Sequence, residues 1–118
     1  MAEGALESIR DIIQEDIGNR GLRADSTNNL ITACAEDFAS ACRSLASTRD
    51  ARVAIVTGFY IPHADPPCGE TDGPLGALFL ARALIPLGIN VVLATDSFCQ
   101  RALEVGLGAT GLDRKSVV

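Results

Sequence analysis

The chain has 118 residues, 47% of them hydrophobic, and carries a formal net charge of −5 at pH 7. This length accommodates one domain at most, and the acidic balance gives no electrostatic reason to expect nucleic acid or an anionic membrane as a partner. We therefore expect a small-molecule substrate, with no nucleic acid and no membrane among the partners.

The cysteines and the start of the chain indicate the compartment. The four cysteines are irregularly spaced without a CxxC pair, and the single histidine is His63, so neither a zinc site nor a redox motif is predicted. The first residues lack the basic and apolar regions of a signal peptide, and acidic residues this early argue against a transit peptide. We expect the cytoplasm, with the mitochondrial matrix as the alternative.

Two helices are predicted in the first half of the chain. Apolar residues recur at helical spacing over residues 6–17, with Gly18 as the stop. A second helical pattern runs over residues 30–45, and the polar run at 25–29 offers several candidates for its N-cap.

A strand and a long loop follow. Residues 53–57 form an apolar, β-branched run that is typical of a strand buried on both faces. Residues 58–70 contain three prolines and predict a loop, which is long for a strand-to-helix connection.

The next predicted helix begins near residue 72, where Asp72 or Gly73 serves as the cap and Pro74 suits the first turn. Pro86 and Gly88 end it. Its predicted apolar stripe consists of Leu75, Leu78, Phe79 and Ala83.

A second buried strand is predicted over residues 90–95, and Asp96 or Ser97 then opens a helix that runs through Val105. The order strand, helix, strand is that of a right-handed parallel crossover. The predicted fold class is α/β: two N-terminal helices, then a parallel βαβ unit that is part of a larger Rossmann-like, doubly wound sheet.

Residues 70–77, with the sequence ETDGPLGA, lie at the predicted joint between the loop and the helix. In an open α/β sheet this joint is at the carboxyl edge of the strands, where ligands bind. The two carboxylates and the hydroxyl of this run are therefore candidate site groups.

Four segments together resemble the D-glutamate cyclase family, specifically its C-terminal cyclase-like domain. They are residues 16–22 (DIGNRGL), 56–59 (VTGF), 70–77 with 81–84 (ARAL), and the strand end at Thr95 and Asp96. The resemblance extends over about residues 6–112 and implies a hydro-lyase that converts D-glutamate to 5-oxo-D-proline and water.

The family's domain is longer than this chain. Residues 1–112 are accordingly predicted to be the N-terminal portion of that domain, and residues 113–118, which do not continue its pattern, a non-native tail. Whether such a portion is active by itself stays open at this point.

Roles for the residues follow from their positions. Glu70 and Asp72, two positions apart in an extended segment, are expected to point to opposite sides and to divide base and acid duties. The plainer reading of Asp72 is a helix cap, whereas Glu70 has no such structural role.

Substrate binding is assigned to five further residues. Backbone amides at Gly73 and the following turn are expected to hold a carboxylate or an oxyanion. Asp96 is expected to bind the substrate ammonium or, alternatively, to cap the next helix. The other binding candidates are Thr57, Gly58 and Thr71.

Two carboxylates are too few to predict a metal site, and no glycine-rich phosphate loop is present, so no cofactor is predicted. A second hypothesis is a non-catalytic module that binds an amino acid or another small anion at the same strand ends. A third is that the chain, with two clear strands and unpaired sheet edges, does not form an independent domain.

Overall fold

The computed structural model describes residues 2–19, 29 and 33–112. By its internal contacts the chain divides into two compact units, Met1–Thr48 and Arg49–Val118. Within the described residues, no helix has both the length and the apolar character needed to cross a membrane. The predicted tail at residues 113–118 and the start of the second predicted helix, at residues 30–32, lie outside this description.

The first unit contains two helices, α1 over Ala2–Ile13 and α2 over Asp37–Ser47. Helix α1 begins and ends four residues earlier than the predicted 6–17, whereas α2 begins at Asp37 and extends past the predicted end at residue 45. After Ile13 the backbone tightens, because the amide of Glu15 bonds to the carbonyl of Ile12 at 3.2 Å, and Ile17 is left outside the helix at 90% exposure. Helix α2 ends where the Thr48 hydroxyl donates to the Ser44 carbonyl at 2.7 Å.

The second unit is built on a parallel pair of strands, β1 over Arg52–Val56 and β4 over Asn90–Ala94. Helix α3 connects them over Asp72–Leu84, and a 3-10 turn follows over Ile85–Leu87. Helix α4 over Gln100–Thr110 comes after β4 and ends at Gly111. The predicted α/β class, with helices followed by a parallel βαβ unit, is confirmed. The larger doubly wound sheet stays a prediction.

The core of this unit lies between β4, α3 and α4. Helix α3 packs against both β4 and α4. A Cβ at Gly106 would overlap Cδ1 of Leu78, so the absence of a side chain there lets the two helices approach closely. The buried apolar residues of the three elements are Pro74, Ala77, Leu78, Ala81, Val91, Leu93, Leu103 and Leu107.

Three predictions about burial are wrong. In β4, which was predicted to be a buried strand, Asn90 and Val92 are exposed. In β1 the residues Arg52, Ala54 and Val56 are exposed, and Val56 is 80% exposed, so among the described residues this strand is covered on one face only. In α3 the stripe differs from the predicted one: Leu75, Phe79 and Ala83 are exposed. The residues that α3 buries are Pro74, Ala77, Leu78 and Ala81.

The predicted loop over 58–70 contains a short antiparallel hairpin, with β2 over Tyr60–Ile61 and β3 over Cys68–Gly69. The amide of Glu70 donates to the Phe59 carbonyl at 2.7 Å and extends this pairing. The Tyr60 ring stacks on the Phe98 ring with centroids 4.0 Å apart. This segment is therefore a loop that contains a short hairpin, and the sequence analysis did not predict the hairpin.

The core can be tested by shortening Leu103, which is fully buried. We expect Leu103→Ala to lower the free energy of unfolding by about 2–5 kcal/mol, because it removes buried methyl groups and leaves a cavity. The matched control is Leu87→Ala, since Leu87 is 74% exposed. Urea unfolding measures both, and equal losses would contradict this placement of the core.

Candidate functional site

The carboxyl ends of β1 and β4 lie side by side. The amide of Thr57, just after β1, donates to the Ala94 carbonyl of β4 at 2.9 Å and continues the parallel ladder beyond the strand. Gly58 then turns away with φ +114°, a conformation that other residues rarely adopt. Thr57 is thereby brought to the edge of the sheet where ligands bind in this class of fold.

Three polar side chains surround Gly73 in the first turn of α3. A Cβ at Gly73 would stand 2.8 Å from Oγ1 of Thr57 and 3.7 Å from Oε2 of Glu70. The carboxylate of Asp72 accepts the amide hydrogen of Gly73 at 3.0 Å. The missing side chain of Gly73 therefore lets the strand-end hydroxyl and the carboxylates gather at one point.

These four residues line one open pocket of about 370 Å³. Glu70 and Asp72 share the pocket because α3 already begins at Asp72, so the extended segment that would have pointed them apart does not form. Among the described residues that line it, none is basic. Its apolar wall consists of Ile55, Val56, Ala77 and Leu80.

The start of α3 differs from the prediction. Thr71 occupies the N-cap position, without a hydrogen bond from its side chain, and neither Asp72 nor Gly73 is the cap. The Gly73 amide, which was expected to hold an anion, donates a hydrogen bond to Oδ1 of Asp72. Thr71 lines a neighbouring groove, which it shares with Glu70.

Asp96 has a capping role, which was the predicted alternative to ammonium binding. Its Oδ1 accepts the amide hydrogens of Phe98 at 2.9 Å and Cys99 at 2.8 Å, so it caps the turn that leads into α4. Its Oδ2 faces Gly58, where a Cβ would stand 2.7 Å away. Asp96 and Gly58 therefore lie together at the strand ends, but neither lines the pocket of Glu70 and Asp72.

Thr95 belongs to the strand end that carries the family resemblance, but it is not among the predicted site residues. Its hydroxyl is buried without a hydrogen-bond partner in the part of the chain that the structure describes. It lies 2.7 Å from the Cβ position of Gly58, beside the carboxylate of Asp96. The sequence could have identified Thr95 as a candidate site residue by its position. Thr95 follows β4 as Thr57 follows β1, and the carboxyl ends of parallel strands meet at the same edge of the sheet.

The close approach at Gly58 leads to a test with a matched control. We expect Gly58→Ala to lower the free energy of unfolding by about 1–3 kcal/mol or more, because a methyl group would strain the backbone and meet the oxygens of Thr95 and Asp96. Gly88→Ala is the control, since Gly88 also has a positive φ, of +79°, but open space around its Cβ position. A loss at Gly58 no larger than the loss at Gly88, measured by urea unfolding, would argue against the close packing of the strand ends.

One protein-family model matches most of the length of the chain. The family model described as D-glutamate cyclase-like, C-terminal, matches residues 9–118. No curated protein and no solved structure matches the chain. The match includes the strand ends, the run around Gly73 and the helices that position them, and on this basis the chain belongs to the D-glutamate cyclase-like, C-terminal family.

Proposed function

We propose that this chain catalyses the cyclisation of D-glutamate to 5-oxo-D-proline and water, as a hydro-lyase. The observation that carries the proposal is the family match over residues 9–118. The pocket that contains Thr57, Glu70 and Asp72 supports it, because ring closure requires groups that accept and return protons beside the reacting carbon.

The reaction is a redistribution of two protons. The α-nitrogen of D-glutamate begins as an ammonium group and ends as a lactam N–H, so it gives up two protons. One oxygen of the γ-carboxylate takes both and departs as water while the C–N bond forms. The enzyme therefore needs a base near the nitrogen and an acid near the departing oxygen, and one group can serve both steps in turn.

Glu70 is the first choice for the base. Its backbone is held by the bond from its amide to the Phe59 carbonyl, and its side chain is partly buried at the pocket wall. Among the described residues its carboxylate has no hydrogen bond or ion pair, so it is available to a substrate. Asp72, whose Oδ1 accepts a hydrogen bond from the Gly73 amide, is the second carboxylate. We propose that it acts as the acid that protonates the departing oxygen.

Electrostatics favour one orientation of the substrate. Two carboxylates without a basic residue among the described lining of the pocket repel the acidic groups of D-glutamate and attract its ammonium group. The ammonium group is the one that must lose a proton, so this orientation places it at the base. The apolar wall with Ala77 and Leu80 suits the methylene groups of the substrate.

The remaining binding residues keep their proposed roles with differing support. The Thr57 hydroxyl adjoins the pocket and suits a hydrogen bond to the γ-carboxyl group. Thr71 and the Gly73 amide are proposed to donate hydrogen bonds to the carboxylates of the substrate. For this the Gly73 amide must first break its hydrogen bond to Asp72. Asp96, with Gly58 beside it, is proposed to attract the substrate ammonium from the neighbouring strand end, since neither residue lines the pocket itself.

Glu70→Gln tests the base directly, because it removes the charge and preserves the shape of the side chain. We expect kcat for the formation of 5-oxo-D-proline to fall about 10²–10⁴-fold, the usual contribution of a general base. KM should change much less than kcat, since Asp72 and the substrate's other contacts remain although one of the two charges that attract the ammonium group is lost. Chiral chromatography of the product from D-glutamate measures both constants.

Glu15→Gln is the matched control, because Glu15 is exposed and lies outside the pocket. It should leave kcat unchanged. Wild-type turnover by Glu70→Gln would remove Glu70 from the mechanism. A wild-type protein that binds D-glutamate in calorimetry without forming product would instead support the binding-module hypothesis.

A further inference from the structure

The hairpin that leads into Glu70 has little support of its own. Its strands, Tyr60–Ile61 and Cys68–Gly69, have two residues each. A two-stranded hairpin by itself is at best marginally stable in water. The backbone of Glu70 belongs to this hairpin, because its amide donates to the Phe59 carbonyl at 2.7 Å. The position of Glu70 therefore depends on contacts between the hairpin and the rest of the unit.

One face of the hairpin packs against the turn that precedes α4. Tyr60 and Gly69 lie directly opposite each other in the hairpin, so their side-chain directions share one face. On this face the Tyr60 ring stacks on the Phe98 ring, with centroids 4.0 Å apart and an angle of 18° between the ring planes. A Cβ at Gly69 would stand 2.5 Å from Sγ of Cys99, the next residue of the turn. The two contacts together hold the hairpin against the turn.

The turn is itself fixed to the core of the unit. Oδ1 of Asp96 accepts the amide hydrogens of Phe98 at 2.9 Å and Cys99 at 2.8 Å. The Cys99 carbonyl accepts the amide hydrogen of Leu103 at 3.1 Å, and Cys99 and Leu103 are both buried. Phe98, in contrast, is 58% exposed, so its side chain contributes little to the core. Its ring is therefore a point at which a fixed turn holds a weakly supported hairpin.

We propose that the stack of Tyr60 on Phe98 holds Glu70 in place for proton transfer, and that Phe98 is a positioning residue of the proposed reaction. This inference rests on the proposed function, because it takes Glu70 as the base. A pair of stacked rings shifts an equilibrium by about twofold to tenfold. A catalytic group must stay within about 0.5 Å of its productive position. Loss of the stack therefore slows proton transfer more than it weakens substrate binding.

Hydrogen exchange measures the opening of the hairpin, because the Glu70 amide is hydrogen-bonded within it and exchanges when that bond breaks. We expect Phe98→Ala to accelerate exchange of this amide about twofold to tenfold, as followed by NMR. The Thr57 amide, which is bonded to the parallel ladder, is the internal reference and should keep its wild-type rate. Tyr60→Ala removes the same stack from the other side and should have the same effect. Phe98→Tyr keeps a ring and should exchange as the wild type does.

Kinetics with D-glutamate test whether Phe98 acts through Glu70. We expect Phe98→Ala to lower kcat about threefold to tenfold and to change KM by less than about twofold. In the Glu70→Gln background the same substitution should lower kcat no further, because the base that Phe98 positions is already absent. Phe79→Ala is the matched control, since Phe79 is 60% exposed and lies outside the pocket. It should change neither kcat nor the exchange of the Glu70 amide.

The outcomes separate this inference from the proposed function. Wild-type exchange of the Glu70 amide in both Phe98→Ala and Tyr60→Ala overturns the inference. Equal acceleration of the Glu70 and Thr57 amides also overturns it, because the ring would then stabilise the whole unit. An equal loss of kcat with and without Glu70→Gln does so as well. A wild-type protein that does not convert D-glutamate overturns the proposed function, and the exchange rates then decide whether the stack holds Glu70.

Discussion

The parallel pairing of β1 with β4 is the constraint on which the candidate site depends. In the observed register Val56 lies opposite Ala94, and the bond from Thr57 to the Ala94 carbonyl continues the ladder by one step. Because side chains alternate between the faces of a strand, a slip by one residue would carry the Thr57 hydroxyl to the other face. The contact between Thr57 and Gly73, and with it the pocket, would then be lost.

Three glycines let the connection between β1 and α3 pack closely against neighbouring side chains. Gly58 packs against the carboxylate of Asp96, and Gly73 packs against the hydroxyl of Thr57. A Cβ at Gly69 would stand 2.5 Å from Sγ of Cys99, which is itself buried. Each contact is possible because glycine has no side chain. Glu70 follows Gly69 directly, so this packing and the hairpin bond fix its backbone. A carboxylate on such a support is better positioned for proton transfer than one on an irregular loop.

The sequence predicted those features that depend on neighbouring residues. Pro74 and Gly88 marked the start and the end of the α3 segment, because their backbone preferences act locally. Burial was harder: an apolar run such as that of β1 does not tell which neighbour covers it, and Val56 is exposed. The hairpin has strands of two residues, too short for an alternating pattern. The contact between Thr57 and Gly73 is tertiary, and no local pattern contains it.

The three acidic residues near the strand ends differ in the number of backbone hydrogen bonds that their carboxylates accept. Asp96 accepts two amide hydrogens at the start of α4, Asp72 accepts one from its neighbour Gly73, and within the described residues Glu70 accepts none. A carboxylate that transfers protons must exchange partners during the reaction, and each bond to the backbone that it gives up costs free energy. The cost is smallest for Glu70 and largest for Asp96. Glu70 is therefore the carboxylate that can take up a proton at the least expense of existing hydrogen bonds, which is why it is the first choice for the proposed base.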